Sequence, residues 1–174
     1  MNYYIEYLSD KDKSSGPYRG FESSIMNLSN KFNLKSRTEF ISNLKQLFSD
    51  KEQIIITIFA HSYIGHDRNG SEICGLALGN SYENFITWQE IIKIINDCRT
   101  KFPVILNLLT PCKSQKILDF ICENDTIDKI WYSKVESPTI RYSIILTEEY
   151  QNFNQFCNDI LSDEEMNNYG EYVK

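Results

Sequence analysis

The sequence predicts an α/β fold, a mostly parallel central sheet with helices on both faces. Two near-continuous apolar runs, QIIITIFA over 53–60 and VILNLLT over 104–110, are the first observation. Runs of that kind suit strands covered on both sides, as in parallel sheets. The second observation is order along the chain: strand-like and helix-like patterns alternate almost throughout, which favours crossover connections. The third is capping-box spacing ahead of two apolar stripes, Ser36 with Glu39 and Thr87 with Glu90.

The elements follow in order. Residues 2–8 (NYYIEYL) are aromatic and β-branched and read as a strand. The stretch 9–20 (SDKDKSSGPYRG) is rich in Ser, Gly and Asp and reads as a loop. Apolar residues at 21, 25, 26, 28 and 32 form an imperfect helical stripe, and 37–48 repeats it after Ser36. The strand 53–60 is followed by a polar loop over 61–72, with a turn at Asn69-Gly70, and by a short strand or hairpin over 73–79. Thr87 opens a helix carrying Ile91, Ile92, Ile94 and Ile95. Pro111 ends the strand 104–110, 114–123 reads as a helix, and 128–135 as a strand. A strand over 140–146 and a helix over 148–161 complete the pattern. One domain over 1–162 is expected, with a polar tail, 163–174, that frays.

Composition narrows the functional classes. The chain has 174 residues, 41% hydrophobic and 13% aromatic, enough to bury a core rather than stay disordered. Its formal net charge of −6 gives no reason to expect nucleic-acid binding. No apolar window is long enough for a membrane-spanning helix, and the first residues lack the pattern of a secretory signal. The five cysteines form no CxxC pair, which argues against a zinc site and a disulfide framework. Reduced thiols and a cytoplasmic location are the expectation. No GxxxxGK[ST] or GxGxxG supports nucleotide binding, so no cofactor and no metal are expected.

Two residues stand out by position. His61 follows one buried-type strand and Cys112 follows another, just before a helix. Open α/β sheets bind ligands outside the carboxyl ends of their strands. If the strands are parallel neighbours, both residues face one crevice. A cysteine is a nucleophile as thiolate, and an imidazole or a helix N-terminus favours that form. His61 is then the general acid and base, and His66, five residues on, is the alternative base. The other cysteines, Cys74, Cys98, Cys122 and Cys157, read as packing residues, the commonest role of a free Cys. Cys112 differs because Thr110-Pro111 and Lys113-Ser114 flank it as a turn. Trp131-Tyr132 reads first as packing and second as a pocket wall.

The stretch IIITIFAHSYIG, then GLALG, ITWQEI and VILNLLTPCKS, resembles the caspase-like superfamily of cysteine peptidases. It is especially similar to the bacterial CHAT and caspase-homologue branch. In those families a buried strand ends in the catalytic His, and a second delivers the Cys about 50 residues later. The resemblance is loose over 3–147 and specific at 53–62, 75–91 and 104–114. It implies a three-layer caspase-like fold and a cysteine endopeptidase with a His61–Cys112 dyad. The substrate would be a protein or peptide, and a protein partner would activate the enzyme. Backbone N–H groups of Ser62 and Cys112 would hold the oxyanion. Arg19, in PYRGFESS, matches the place of a substrate-binding Arg for an acidic P1 side chain.

The chain also departs from the pattern. Ser62 stands where the families have Gly, and TPCKS replaces QACRG around the cysteine. Those differences support a second expectation, a catalytically inactive caspase-like module that binds a protein partner.

Overall fold

Along β1 (Asn2–Tyr7) side chains alternate between two environments, because a strand turns successive residues to opposite faces. Tyr3, Ile5 and Tyr7 enter one core cluster, and Tyr4 packs on another. This and the following pairings come from a computed structural model, which describes residues 1–13, 30–48, 53–79, 82–98, 102–136 and 152–174.

After a one-turn helix, α1 (Asp10–Lys13), the described chain resumes with β2 (Lys31–Asn33), α2 (Arg37–Leu47) and the long β3 (Ile54–His66). Then come β4 (Glu72–Ala77), β5 (Ile86–Thr87), α3 (Trp88–Asp97) and β6 (Val104–Leu108). A 3-10 helix (Ser114–Phe120), β7 (Ile127–Ser133), α4 (Phe153–Ile160), α5 (Asp163–Met166) and β8 (Tyr169–Val173) follow. The main sheet has the order β2-β1-β3-β6-β7-β8. All its pairs are parallel except β7 with β8. The protein is thus α/β, with a mixed, mostly parallel central sheet.

The two apolar runs occupy the centre, as their composition requires. In β3, Ile54, Ile56 and Ile58 join the first cluster with Val104, Leu106 and Leu108 of β6. Phe40 and Leu44 of α2 and Trp88, Ile91 and Ile95 of α3 pack in the same cluster. On the other side Phe59, Ile105 and Trp131 meet Cys157 of α4, Leu161 and Tyr169. Burying a side chain of this size is worth about 1.5–3 kcal/mol, so these two stripes dominate the fold's stability.

The caps follow the spacing. Ser36 accepts from the Glu39 N–H at 3.2 Å, and Thr87 and Glu90 form a reciprocal capping box. At Asn69-Gly70 the turn is present: Gly70 has φ 82°, and Asp67 Oδ1 accepts from the N–H groups of Asn69 and Ser71.

Several expectations change. The loop expected over 61–72 is strand as far as His66, because 61–66 pairs antiparallel with 72–77. Residues 31–33, at the end of the expected first helix, form β2, which adds parallel to β1. The helix expected over 114–123 is a 3-10 helix ending at Phe120. The tail is ordered rather than frayed: β8 extends the sheet beside β7. Tyr169 packs in the second cluster, and Trp131 Nε1 donates to Glu171 at 3.0 Å. The Tyr132 ring lies across Gly170, where a Cβ would stand 2.5 Å from the end of that ring and displace it. Arg19, residues 21–29, the strand expected over 140–146 and the start of the last expected helix lie outside the described residues.

Candidate active site at the end of the central strands

Register brings the two strand ends together. β3 and β6 are parallel neighbours, with Thr57 opposite Asn107. His61 lies four residues beyond Thr57 and Cys112 five beyond Asn107, so both are delivered to the same end of the sheet. His61 does not terminate its strand. It sits where β3 leaves its pairing with β1, which ends at Ala60, and begins its pairing with β4, where it faces Ala77.

The turn that carries Cys112 is fixed by polar side chains. Thr110 Oγ1 donates to the Ile58 carbonyl at 2.8 Å, tying the exit of β6 to β3. Ser114, fully buried, donates through its hydroxyl to Leu108 O at 2.5 Å and accepts from the Ser133 N–H at 2.8 Å. The Lys113 N–H donates to Val135 O at 2.8 Å, which removes it as an oxyanion donor. Lys113 takes a left-handed backbone conformation, φ 45°, an uncommon state for a residue with a Cβ.

Ser62 is brought directly onto this turn: its hydroxyl donates to the Cys112 carbonyl oxygen. His61 is brought onto Asp12, with Nε2 3.4 Å from Asp12 Oδ1. Successive strand residues point to opposite faces, so Ser62 meets the Cys112 backbone from one side of β3 and His61 meets Asp12 on the other, and a His61–Cys112 dyad requires the Cys112 side chain, not its carbonyl, to reach the His61 side.

Electrostatics at the thiol run against the sequence-based expectation. Burial pushes the Cys112 thiol above its ordinary value, and the Glu136 carboxylate adds to the rise. Its own backbone N–H and the Lys113 ammonium pull the other way without cancelling it. The element that follows Cys112 is a 3-10 helix, Ser114–Phe120, in place of the expected α-helix.

Asp12 shows the reverse balance. Burial raises its pKa, but the Ser9 hydroxyl and N–H, together with His61, hold its carboxyl below the ordinary value. Its Oδ2 accepts from Ser9 Oγ at 2.5 Å and from Ser9 N at 2.9 Å. Lys13 anchors the same turn through an ion pair with Glu6, whose side chain is 1% exposed and also faces Lys31 Nζ at 3.3 Å. Asp10 pairs with Lys35 at 2.7 Å.

A plain loop over 9–20, the expectation from composition, does not anticipate the role of Asp12. The signal was Ser9-x-x-Asp12, the spacing of a capping box.

His66 stands at the far end of the β3–β4 hairpin, opposite Glu72. Beside Cys112 lies an open depression lined by Lys113, Gln115, Lys116, Leu118, Asp119 and Lys134. Its Lys113 and Lys116 are paired with Glu136 and Glu72. Trp131 is buried and serves as packing. Cys74 and Cys157 are buried, Cys98 is partly buried and Cys122 is exposed. Among the described residues no cluster of His, Cys, Asp or Glu could hold a metal, and no helix is long and apolar enough to cross a membrane.

No family model, no curated protein and no solved structure matches the chain.

Proposed function

We propose that the chain is a caspase-like cysteine endopeptidase, of three-layer caspase-like fold, with His61 as general acid and base and Cys112 as nucleophile. The observation that carries this reading is the parallel pairing of β3 with β6, which delivers an imidazole and a turn-borne thiol to one sheet end. In the reaction His61 takes the Cys112 proton, the thiolate attacks a peptide carbonyl, and His61 returns the proton to the leaving amine. The Cys112 N–H supplies one oxyanion donor, and the Ser62 N–H is the candidate for the second. A protein or peptide is the substrate.

The half-buried thiol, its pKa raised, fits a resting state that a protein partner relieves. A partner that withdraws Glu136, or opens the turn held by Ser62, lowers the thiol pKa and creates the nucleophile. Arg19 is kept as the proposed ligand for an acidic P1 side chain.

The second reading, a catalytically inactive module that binds a protein partner, is favoured by one observation. Ser62 occupies the place of the family's Gly and is tied to the Cys112 carbonyl. A thiol-reactive peptide probe separates the two. Selective modification of Cys112, slowed by His61→Ala, supports the peptidase; no modification with or without partner supports the binding module.

A further inference from the structure

Aromatic side chains stand exposed along β3 beyond His61. Tyr63 is 46% exposed and Tyr82 72% exposed, and both rings rest on Phe85, which is 8% exposed. The Tyr63 and Phe85 rings meet edge to face with centroids 5.5 Å apart, and Tyr82 is tilted on Phe85 at 6.2 Å. The group is held by the fold beneath it. Tyr82–Asn84 is a 3-10 turn, closed by the Phe85 N–H donating to the Tyr82 carbonyl at 3.1 Å. Asn84 ties that turn down: its carbonyl accepts from Tyr7 Oη at 2.6 Å, and its Oδ1 accepts from the Arg37 N–H at 3.3 Å. The Tyr63 ring lies over Gly65, where a Cβ would stand 2.5 Å from it. Rings ordered in this way lose little freedom when a ligand covers them.

Position and size say what covers them. A strand turns alternate residues to one face, so Tyr63 shares the His61 face of β3, two strand rises or about 6.6 Å further along. An extended peptide has the same rise per residue, so a side chain two or three positions from a bond cut beside His61 reaches the rings. A tyrosine side chain buries about 150–250 Å² at most. Two of them fall short of the roughly 1,200 Å² of a stable protein interface, which excludes a second copy as the occupant. One large apolar side chain matches them.

We propose that Tyr63 and Tyr82, braced by Phe85, form the substrate subsite that takes an aromatic or large aliphatic side chain at P2 or P3. As a substrate subsite it rests on the peptidase reading of His61 and Cys112. Contact between a peptide side chain and the rings needs no nucleophile, so it is measured separately.

The first measurement uses acyloxymethyl ketone tetrapeptides with Asp at P1 and Ala elsewhere, against the same probes carrying Phe at P2 or at P3. Labelling rates at Cys112 are read by mass spectrometry. One Phe probe should label about tenfold faster than the Ala probe, the low end of what a single apolar side chain selects. In the double variant Tyr63→Ala, Tyr82→Ala that ratio should fall to near one. Phe probes no faster than the Ala probe, or a ratio kept in the double variant, would overturn the proposal.

The second measurement uses Cys112→Ala with the same peptides as unreactive amides, reading the ring signals of Tyr63 and Tyr82 by NMR. Tyr63→Phe and Tyr82→Phe identify those signals. A Phe amide should shift both rings and the Ala amide neither. Rings that respond to the Phe amide while no probe labels Cys112 uphold the apolar site and count against the peptidase reading. Rings indifferent to both Phe amides overturn the proposal even where Cys112 is labelled.

Discussion

The Ser62 hydroxyl donates a hydrogen bond to the carbonyl oxygen of Cys112, so the residue after the candidate base holds the candidate nucleophile's turn in place. Ser62→Ala removes the donor and leaves a partly buried carbonyl unsatisfied. The expected cost is about 1 kcal/mol, or roughly 2–4 °C in thermal midpoint for a chain of this size. Alkylation of Cys112 should become faster as the turn loosens. An unchanged midpoint together with an unchanged alkylation rate would show that the bond fixes nothing.

The thiol supplies a pH prediction. Burial and Glu136 raise the Cys112 pKa, so the rate of alkylation should climb with pH through a midpoint above that of an unperturbed thiol. Glu136→Gln should move the midpoint down. The linked stability has a definite sign: a group whose folded pKa is raised stabilises the fold below its unfolded pKa and loses that contribution as pH rises through the folded value. Cys112→Ala should therefore flatten the alkaline limb of the stability curve, measured by urea denaturation. An alkylation midpoint below that of free cysteine would contradict this account.

Asp12 has the opposite sign. Burial raises its pKa, but the Ser9 hydrogen bonds and His61 more than offset this, and the carboxyl is depressed. A depressed carboxyl stabilises the fold above its unfolded pKa and loses that contribution as pH falls through the folded value. Asp12→Asn should consequently lose less stability than the wild type as pH is lowered below about 4, near the unperturbed carboxyl value. Parallel acid limbs for the two proteins would show that the Asp12 environment is not linked to folding.

The buried Glu6 carboxylate meets Lys13 and Lys31. Lys13→Met removes one of the two lysines that, among the described residues, pair with it, and leaves the carboxylate less compensated. We expect a loss of about 3 kcal/mol, since breaking a buried pair costs more than the pair contributes. Adding Glu6→Gln to Lys13→Met should recover part of it. A loss below about 0.5 kcal/mol, the scale of an ordinary surface change, would mean that water reaches Glu6.

Much of this fold could be read from local pattern. The central strands β3 and β6 were legible because each is an unbroken apolar run, and α3 because Thr87 and Glu90 cap a stripe of isoleucines. What was hidden depends on pairing. The residues 61–66 are polar and loop-like in composition, yet become strand because 72–77 satisfies their backbone. The tail 163–174 is acidic and polar, and is ordered by Tyr169, Glu171 and the glycine that admits the Tyr132 ring. In the site, the positions of His61 and Cys112 followed from strand order. The partners of those residues did not: Ser62 and Asp12 acquire their contacts only when β3, α1 and the turn after β6 converge.

The central claim is that Cys112 is a nucleophile served by His61. Its most direct test is mass spectrometry of the 174-residue chain after exposure to a thiol-reactive peptide probe, with site mapping across its five cysteines. The account predicts an adduct on Cys112 that is absent in Cys112→Ala, slowed in His61→Ala and unaffected by His66→Ala. Modification of the exposed Cys122 with Cys112 untouched, or a Cys112 rate indifferent to His61→Ala, would contradict it.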